Sequence, residues 1–145
     1  MEIATIGFTQ SSAEHFFGRL RRAGVKRLLD VRLHNVSQLA GFAKGKDLEY
    51  FVTELLDGVY EHDVRLAPTD DILQAYRKDK KPWNWYEERF NSLMRQRKIP
   101  GVLDRASFEA GKTALLCSEP TAAKCHRRLV ADILAEEWGA EVEHL

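Results

Sequence analysis

The stretch from residue 112 to 138 constrains the fold most, because it joins a short apolar strand to an amphipathic helix. Its first part, residues 113–117, is an apolar and β-branched run that predicts a buried strand. A polar turn at 118–121 follows, with Thr121 as the expected N-cap of a helix whose apolar stripe includes Leu129, Val130 and Leu134. A buried strand that leads directly into a helix is typical of a parallel sheet.

The same alternation of strands and helices recurs along the chain. Further strands are predicted near residues 2–6, 25–31 and 58–62, with a final edge strand at 140–145. Helices are predicted after Ser11, which forms a capping box with Glu14, after Asp47 and Thr69, and over 83–96 and 102–110. We therefore expect residues 1–145 to form a single three-layer α/β domain with a mainly parallel central sheet of four to five strands.

Charge and cysteine content limit the classes of partner. The 22 basic residues balance the 22 acidic ones, so net charge does not indicate nucleic acid, although local basic runs leave that partner open. No apolar run approaches the length of a membrane span, and the first residues do not resemble a signal peptide. We expect a cytoplasmic protein in which the two cysteines form no disulfide.

Ionisable side chains gather where the strand at 113–117 meets the last helix. Glu119 follows the strand, and Cys125, His126 and Arg127 lie at the start of the helix. A helix N-terminus favours anions and lowers the pKa of a thiol, so Cys125 is the expected reactive cysteine. Cys117, at the end of an apolar strand, is expected to serve packing. Each of these residues, taken alone, could serve only the packing or stability of the fold. Their convergence at one strand end favours a functional site.

The chain lacks the sequence motifs of the common phosphate-binding loops. A phosphatase loop needs an arginine six positions after its cysteine, and alanine occupies that position after the first cysteine. Neither glycine-rich phosphate-loop pattern occurs in the chain. A metal or redox site is a weaker alternative, and the sequence specifies no cofactor. Its ligands would be Cys117, Cys125 and His126, with Glu119 or His62 as a fourth.

Five short motifs follow one another in order along the chain. They are Thr5-Ile6-Gly7 with Thr9, Asp30-Val31-Arg32, Gly41-Phe42, Leu115 to Glu119, and Cys125-His126-Arg127. In these motifs and in their order, the chain resembles the DUF488 family of uncharacterised proteins. The resemblance implies an α/β domain with a shared polar site whose activity is not established. The family pattern often has a proline and an arginine after the second motif. Asn35 and Gln38 stand near those places here, which indicates a subgroup.

Parallel strands would bring six polar residues to one edge of the sheet. These are Thr9, Asp30, Arg32, Glu119, His126 and Arg127. The leading hypothesis is a hydrolase or transferase that acts on a small phosphorylated or nucleotide-like substrate. Thr9, Arg32 and Arg127 would bind the anion, and Glu119 or Asp30 would act as general base. His126 would be the acid/base partner, and Cys125 the alternative nucleophile. The competing hypothesis is a non-catalytic regulatory module that binds an anion or nucleic acid in the same crevice.

Overall fold

The computed structural model describes residues 1–36 and 40–145, and its centre is one sheet of five parallel strands. The strands are β1 (Glu2–Gly7), β2 (Arg27–Asp30), β3 (Val59–His62), β4 (Thr113–Cys117) and β5 (Glu141–His144). Their order across the sheet is β3-β2-β4-β1-β5, and each neighbouring pair is parallel. The predicted parallel sheet is thereby confirmed, with β1, β2 and β4 side by side at its centre.

Helices cover both faces of this sheet. They are α1 (Ala13–Arg22), α2 (Gly45–Leu56), α3 (Asp70–Arg77), α4 (Trp83–Gln96), α5 (Arg105–Glu109) and α6 (His126–Trp138). Helices α1 and α2 share one hydrophobic core with the sheet, and α4, α5 and α6 share the core on the opposite face. Two short 3₁₀ helices, Gly41–Ala43 and Val64–Leu66, lie in the connections. The chain thus has the three-layer α/β architecture expected from its sequence.

Strand alternation assigns each central side chain to one of the two cores. In β4, where every residue is buried, Leu115 faces the α4/α6 core and Leu116 faces the α1/α2 core. Leu29 and Leu28 of β2 divide in the same way. Cys117 therefore belongs to the α4/α6 face, whereas Asp30, two residues after Leu28, belongs to the α1/α2 face.

The carboxyl ends of the strands lie at one edge and leave a crevice there. Gly7 pairs with Cys117 and Asp30 pairs with Leu116, so the ends of β1, β2 and β4 are level. The chain leaves β1 and β2 toward helices on one face, but it leaves β4 toward α6 on the other face. Such a reversal opens a crevice at the strand ends where ligands bind in open α/β sheets.

Four helix starts differ from the sequence prediction. Helix α2 begins at Gly45, so Asp47 lies in its first turn and is wrong as the cap, and α5 begins at Arg105 instead of residue 102. The starts of α1 and α6 also differ. The N-cap of α1 is Ser12 instead of Ser11, because its side chain accepts a hydrogen bond from the backbone N–H of His15. Helix α6 begins only at His126, since Cys125 has an extended backbone and serves as the N-cap. Thr121 is therefore wrong as the cap, and residues 118–125 form a bent connection before the helix.

None of the helices within residues 1–36 and 40–145 has both the length and the apolar character that crossing a lipid bilayer requires.

Candidate functional site

A cavity of about 540 Å³ opens at the carboxyl edge of the sheet. Its walls come from the segments that follow β1, β2 and β4, together with α3, the start of α4 and the start of α6. Several chemically active side chains line it, namely Thr9, Arg32, His34, Tyr76, Arg77, Trp83, Tyr86, Cys117, Glu119, Lys124, Cys125 and His126. A cavity of this size accommodates a small organic ligand.

Two thiols and an imidazole form a cluster at the buried end of the cavity. The ligand-type atoms of Cys117, Cys125 and His126 all lie within 4.8 Å of one another. The side chains of these residues are 6%, 3% and 6% exposed, respectively. We call these three residues the thiol–imidazole cluster. It forms because β4 ends at Cys117, and α6 begins at His126, with Cys125 as its N-cap, on the same face of the sheet.

The hydrogen bonds of His126 fix the orientation of its ring. Its Nε2 lies 2.7 Å from the carbonyl oxygen of Val31. A carbonyl only accepts, so Nε2 carries the proton and donates it, which leaves Nδ1 as an acceptor in the neutral ring. Nδ1 lies 3.6 Å from the sulfur of Cys117. The basic nitrogen of the imidazole is therefore aimed at the thiols.

The two thiols differ in acidity. The pKa of Cys117 is lowered, chiefly because the thiol of Cys125 donates to it, and also through the charge of Arg127 and the backbone amides of Ser118 and Glu119, which outweigh its burial. The pKa of Cys125 is raised well above its usual value by burial and by the neighbouring Cys117. Burial and the neighbouring thiol therefore act against the lowering of the pKa of Cys125 that was expected from the helix start.

Asp30 lies behind the cavity and holds Arg32 in place. The fully buried Asp30 accepts from Nε of Arg32 at 2.8 Å and from its Nη2 at 2.6 Å. The hydroxyl of Tyr60 donates to the same carboxylate at 2.7 Å. Burial alone would lower the pKa of Arg32, but its bonds with Asp30 outweigh burial and raise that pKa. The remaining nitrogen of Arg32, Nη1, has no hydrogen-bond partner within the described part of the chain, and Arg32 lines the cavity.

Arg127 is also behind the cavity, where it supports the loop after β4. Its side chain is 1% exposed, and its Nη1 donates to the carbonyl oxygen of Glu119 at 2.7 Å. A Cβ atom added to Gly7 would overlap that same carbonyl oxygen, so the loop packs directly on the end of β1. Thr9 completes the anchor, because its hydroxyl donates to the carbonyl of Ser118 at 2.6 Å.

Three aromatic side chains form one wall of the cavity. Trp83 stacks on Tyr86 with ring centres 5.2 Å apart, and Tyr76 packs on Tyr86 at 4.8 Å. Aromatic residues recur at helical spacing along α4, a pattern that is typical of a core face. Phe90 and the ring of Tyr86 are indeed buried, while Trp83 is only partly covered. The sequence did not predict that Tyr76 and Trp83 line a cavity. The only local signal was an aromatic residue beside the basic break at 78–82.

The remaining lining residues make the cavity positively charged. Arg32, Arg77 and Lys124 contribute cationic side chains, and Glu119 contributes a carboxylate. Arg77 and Lys124 were not singled out in the sequence, because exposed basic residues next to helix ends are common. Both are exposed at the cavity, as is Glu119. The cavity can attract an anion and place it near the thiol–imidazole cluster.

The structure brings together most of the residues predicted for the site. Of these, Thr9, Arg32, Glu119, Cys125 and His126 line the cavity. Asp30 and Arg127 are adjacent to it and contact lining residues instead. Gln38, which was noted as a departure from the family pattern, lies outside the described residues together with its neighbour Ser37.

Comparison with known proteins identifies a family but no activity. The family model described as "Domain of unknown function DUF488" matches residues 12–134 of the 145 residues. Neither a curated protein nor a solved structure matches the chain. The matched segment includes β2, β4 and the first half of α6, and therefore most of the residues that line the cavity. The chain belongs to the DUF488 family.

Proposed function

We propose that this member of the DUF488 family is an enzyme, a hydrolase or transferase that binds a small phosphorylated or nucleotide-like substrate in the carboxyl-edge cavity. One observation carries the proposal: a single cavity combines cationic side chains, an aromatic wall and a buried thiol–imidazole cluster. Polar groups that converge in an apolar-walled pocket are typical of active sites.

The anionic part of the substrate binds at the cationic side of the cavity. Nη1 of Arg32 is buried and has no hydrogen-bond partner among residues 1–36 and 40–145, and an anion would satisfy it. Asp30 acts through Arg32 as a positioning residue, because it fixes the guanidinium through two hydrogen bonds. Arg77 and Lys124 add charge at the exposed side. Arg127 contributes indirectly, since it holds the loop that carries Glu119.

A planar ring of the substrate fits the aromatic wall. Trp83 and Tyr76 are partly exposed and line the cavity, so a ring of the ligand can pack against the exposed part of each side chain. Nucleobases stack on such side chains with about 1–3 kcal/mol per base. A ligand with a ring at one end and a phosphate at the other would use both sides of the cavity.

The bond change takes place beside the thiol–imidazole cluster, with Glu119 as the group that moves a proton. Glu119 is an exposed carboxylate that lines the cavity, and it follows directly on the strand that ends at Cys117. A pure anion binder gains nothing from a carboxylate in its site, since like charges repel. A catalyst needs such a group for general acid/base work.

A binding test examines the substrate class. We expect the full chain to bind nucleoside 5′-monophosphates more tightly than ribose 5-phosphate in calorimetric titrations, because only the former can stack. Arg77→Gln should weaken binding roughly tenfold through loss of a charged contact. Lys78→Gln is the matched control, since the neighbouring lysine is exposed but does not line the cavity. Absence of binding of all these ligands at millimolar concentration would contradict the proposed substrate class.

A turnover test separates an enzyme from a binding module. Release of phosphate or free base from the bound nucleotides should fall roughly 10²–10⁴-fold in Glu119→Gln, which removes the charge and keeps the shape. Its free energy of unfolding should stay unchanged because Glu119 is exposed. The alternative, a non-catalytic regulatory module, predicts tighter binding by Glu119→Gln with no turnover in either protein. The exposed lysines 78, 80 and 81, next to Arg77, are the observation that favours nucleic acid as its ligand.

A further inference from the structure

We propose that Cys117, Cys125 and His126 bind a divalent zinc ion whose fourth coordination position opens into the cavity. The inference deepens the proposed function, because it assigns a reactive centre to the same cavity. Binding of the ion itself requires only the three side chains, so it can be tested without any substrate.

The spacing of the ligand atoms matches tetrahedral zinc coordination. Zinc binds thiolate sulfur at about 2.3 Å and imidazole nitrogen at about 2.0–2.1 Å, which places sulfur and nitrogen about 3.6 Å apart at the tetrahedral angle. The sulfur of Cys117 and Nδ1 of His126 are 3.6 Å apart. Cys125 contributes the third atom of the group, all within 4.8 Å of one another. An ion can therefore bind without rearrangement of the backbone.

The surroundings of His126 are those of a metal ligand. A ligating imidazole usually donates its other N–H to a carbonyl or carboxylate, which fixes the ring and increases its basicity. Nε2 of His126 donates to the backbone carbonyl of Val31 at 2.7 Å, and Nδ1 is left facing the thiols. The histidine is thus oriented by an element other than its own helix, namely the end of β2.

The composition of the cluster distinguishes a catalytic site from a structural one. Structural zinc sites have four protein ligands, whereas catalytic sites have three and leave one position for water or substrate. The group contains three ligands within the described residues, and each lines the cavity. Two thiolates would balance the charge of the ion in this buried place. A water molecule in the fourth position would become acidic enough to supply hydroxide near neutral pH, with Glu119 close by along the chain.

Simple packing explains the cluster less well. A buried cysteine often behaves as a small apolar side chain, and that accounts for one thiol at the end of the buried strand β4. It does not account for a buried imidazole that directs its unprotonated nitrogen at two sulfurs. Convergence of a nitrogen and two sulfurs, contributed by a strand end and a helix start, is the arrangement that zinc prefers.

The test measures metal binding by the intact chain. Purified, reduced protein should contain or take up one zinc ion per chain by elemental analysis. Replacement with Co²⁺ should produce the visible absorption bands of a tetrahedral thiolate site. Cys117→Ser, Cys125→Ser and His126→Gln should each abolish stoichiometric binding. His15→Gln is the matched control, because this histidine is exposed on α1.

Several outcomes would overturn the inference. One is wild-type protein that binds neither Zn²⁺ nor Co²⁺ while both thiols are reduced; this measurement does not depend on whether a variant folds. A Co²⁺ spectrum without thiolate bands, or ligand variants that bind like the wild type, would do the same. So would a native disulfide between Cys117 and Cys125, which would occupy both sulfurs.

Activity measurements distinguish this inference from the proposed function. Full turnover by protein stripped of its zinc with a chelator would overturn the assignment of the ion as the reactive centre and leave the enzyme proposal in place. Stoichiometric zinc together with no turnover of any nucleotide would leave the zinc site in place and overturn the enzyme proposal. Loss of turnover on stripping, with recovery on addition of Zn²⁺, would support both.

Discussion

Among individual side chains, Asp30 and Arg32 show how a buried charge can serve a site from behind. Both lie almost entirely out of water, and two hydrogen bonds join their side chains. The guanidinium of Arg32 also donates to the carbonyl of Ala43 at 2.7 Å. Removal of one partner from a buried pair leaves an uncompensated charge, so the pair matters more to stability than a surface pair does.

We therefore expect Asp30→Asn to destabilise the protein by about 3–5 kcal/mol, because Arg32 stays buried without its carboxylate. Urea unfolding measures the change in the free energy of unfolding. The matched control is Glu61→Gln, which removes the partly exposed partner of Arg27 on the neighbouring strand. That surface pair should contribute only about 0–1 kcal/mol. Equal, small effects of both substitutions would show that Arg32 does not depend on Asp30.

The carboxyl group of Asp63 makes a pH-dependent contribution to the stability of the folded protein. Its carboxylate accepts from the backbone N–H of Arg65 at 3.0 Å and from Nε at 2.9 Å. Burial alone would raise the pKa of Asp63, but the hydrogen bonds and charge of Arg65 outweigh burial and lower it. A carboxyl group with a lowered pKa in the folded state stabilises the protein above its unfolded pKa of about 3.9, and this stabilisation is lost as the pH falls through the folded value.

Asp63→Asn should accordingly reduce the free energy of unfolding by about 1 kcal/mol at neutral pH, and the difference should shrink as the pH falls below about 4 toward the lowered pKa of the folded state. Urea titrations at a series of pH values give both numbers. In an Arg65→Gln background most of the pH-dependent part should disappear, since Arg65 causes the lowered pKa. A difference that is constant with pH would refute this account.

Among the secondary-structure elements, the end of β1 and the loop after β4 depend on each other. Gly7 allows the loop to approach because it lacks a side chain, and Thr9 and Arg127 bind the carbonyls of Ser118 and Glu119. The loop in turn positions the start of α6, where Cys125 and His126 lie. The shape of the cavity floor is thus set by a backbone contact between two strand ends.

Gly7→Ala should displace the loop and destabilise the protein by about 1–3 kcal/mol, because the new methyl group overlaps backbone that cannot move alone. The matched control is Gly18→Ala within α1, where an added Cβ meets only the flexible end of Arg22. A helix-interior alanine there should be neutral or stabilising by about 0.5–1 kcal/mol. Thermal unfolding compares the two, and an unaffected Gly7→Ala protein would exclude the close contact.

In the molecule as a whole, the neutral net charge conceals a local excess of positive charge that the fold creates at the cavity. Basic and acidic residues are equal in number, yet three cationic side chains and one carboxylate line the cavity, with Arg127 buried behind it. These charges come from segments that are distant in the sequence, after β2, at the end of α3 and before α6. The electrostatic field at the cavity is therefore a property of the topology.

The sequence alone determined the class of fold and the edge of the sheet where the site lies. Residues 2–6 and 113–117 are apolar enough to be central strands, and the helical stripes between strands require parallel crossovers. The carboxyl ends of parallel strands share one edge of the sheet. The sequence therefore also predicted that Thr9, Arg32, Glu119 and His126 lie close together. These predictions depend on local periodicity, which reports whether a side chain is buried.

Only the tertiary structure decided the face and depth of each site residue. Asp30 faces the α1/α2 core and Cys117 faces the α4/α6 core, so the first supports Arg32 and the second reaches the cavity. Trp83 joins the wall from the first residue of α4, 30 positions before β4 begins at Thr113. Local periodicity does not state which helix will cover a strand end. The position of each helix depends on how the two cores pack, through contacts between residues that are distant in the sequence. The pKa of each buried thiol depends on the same packing.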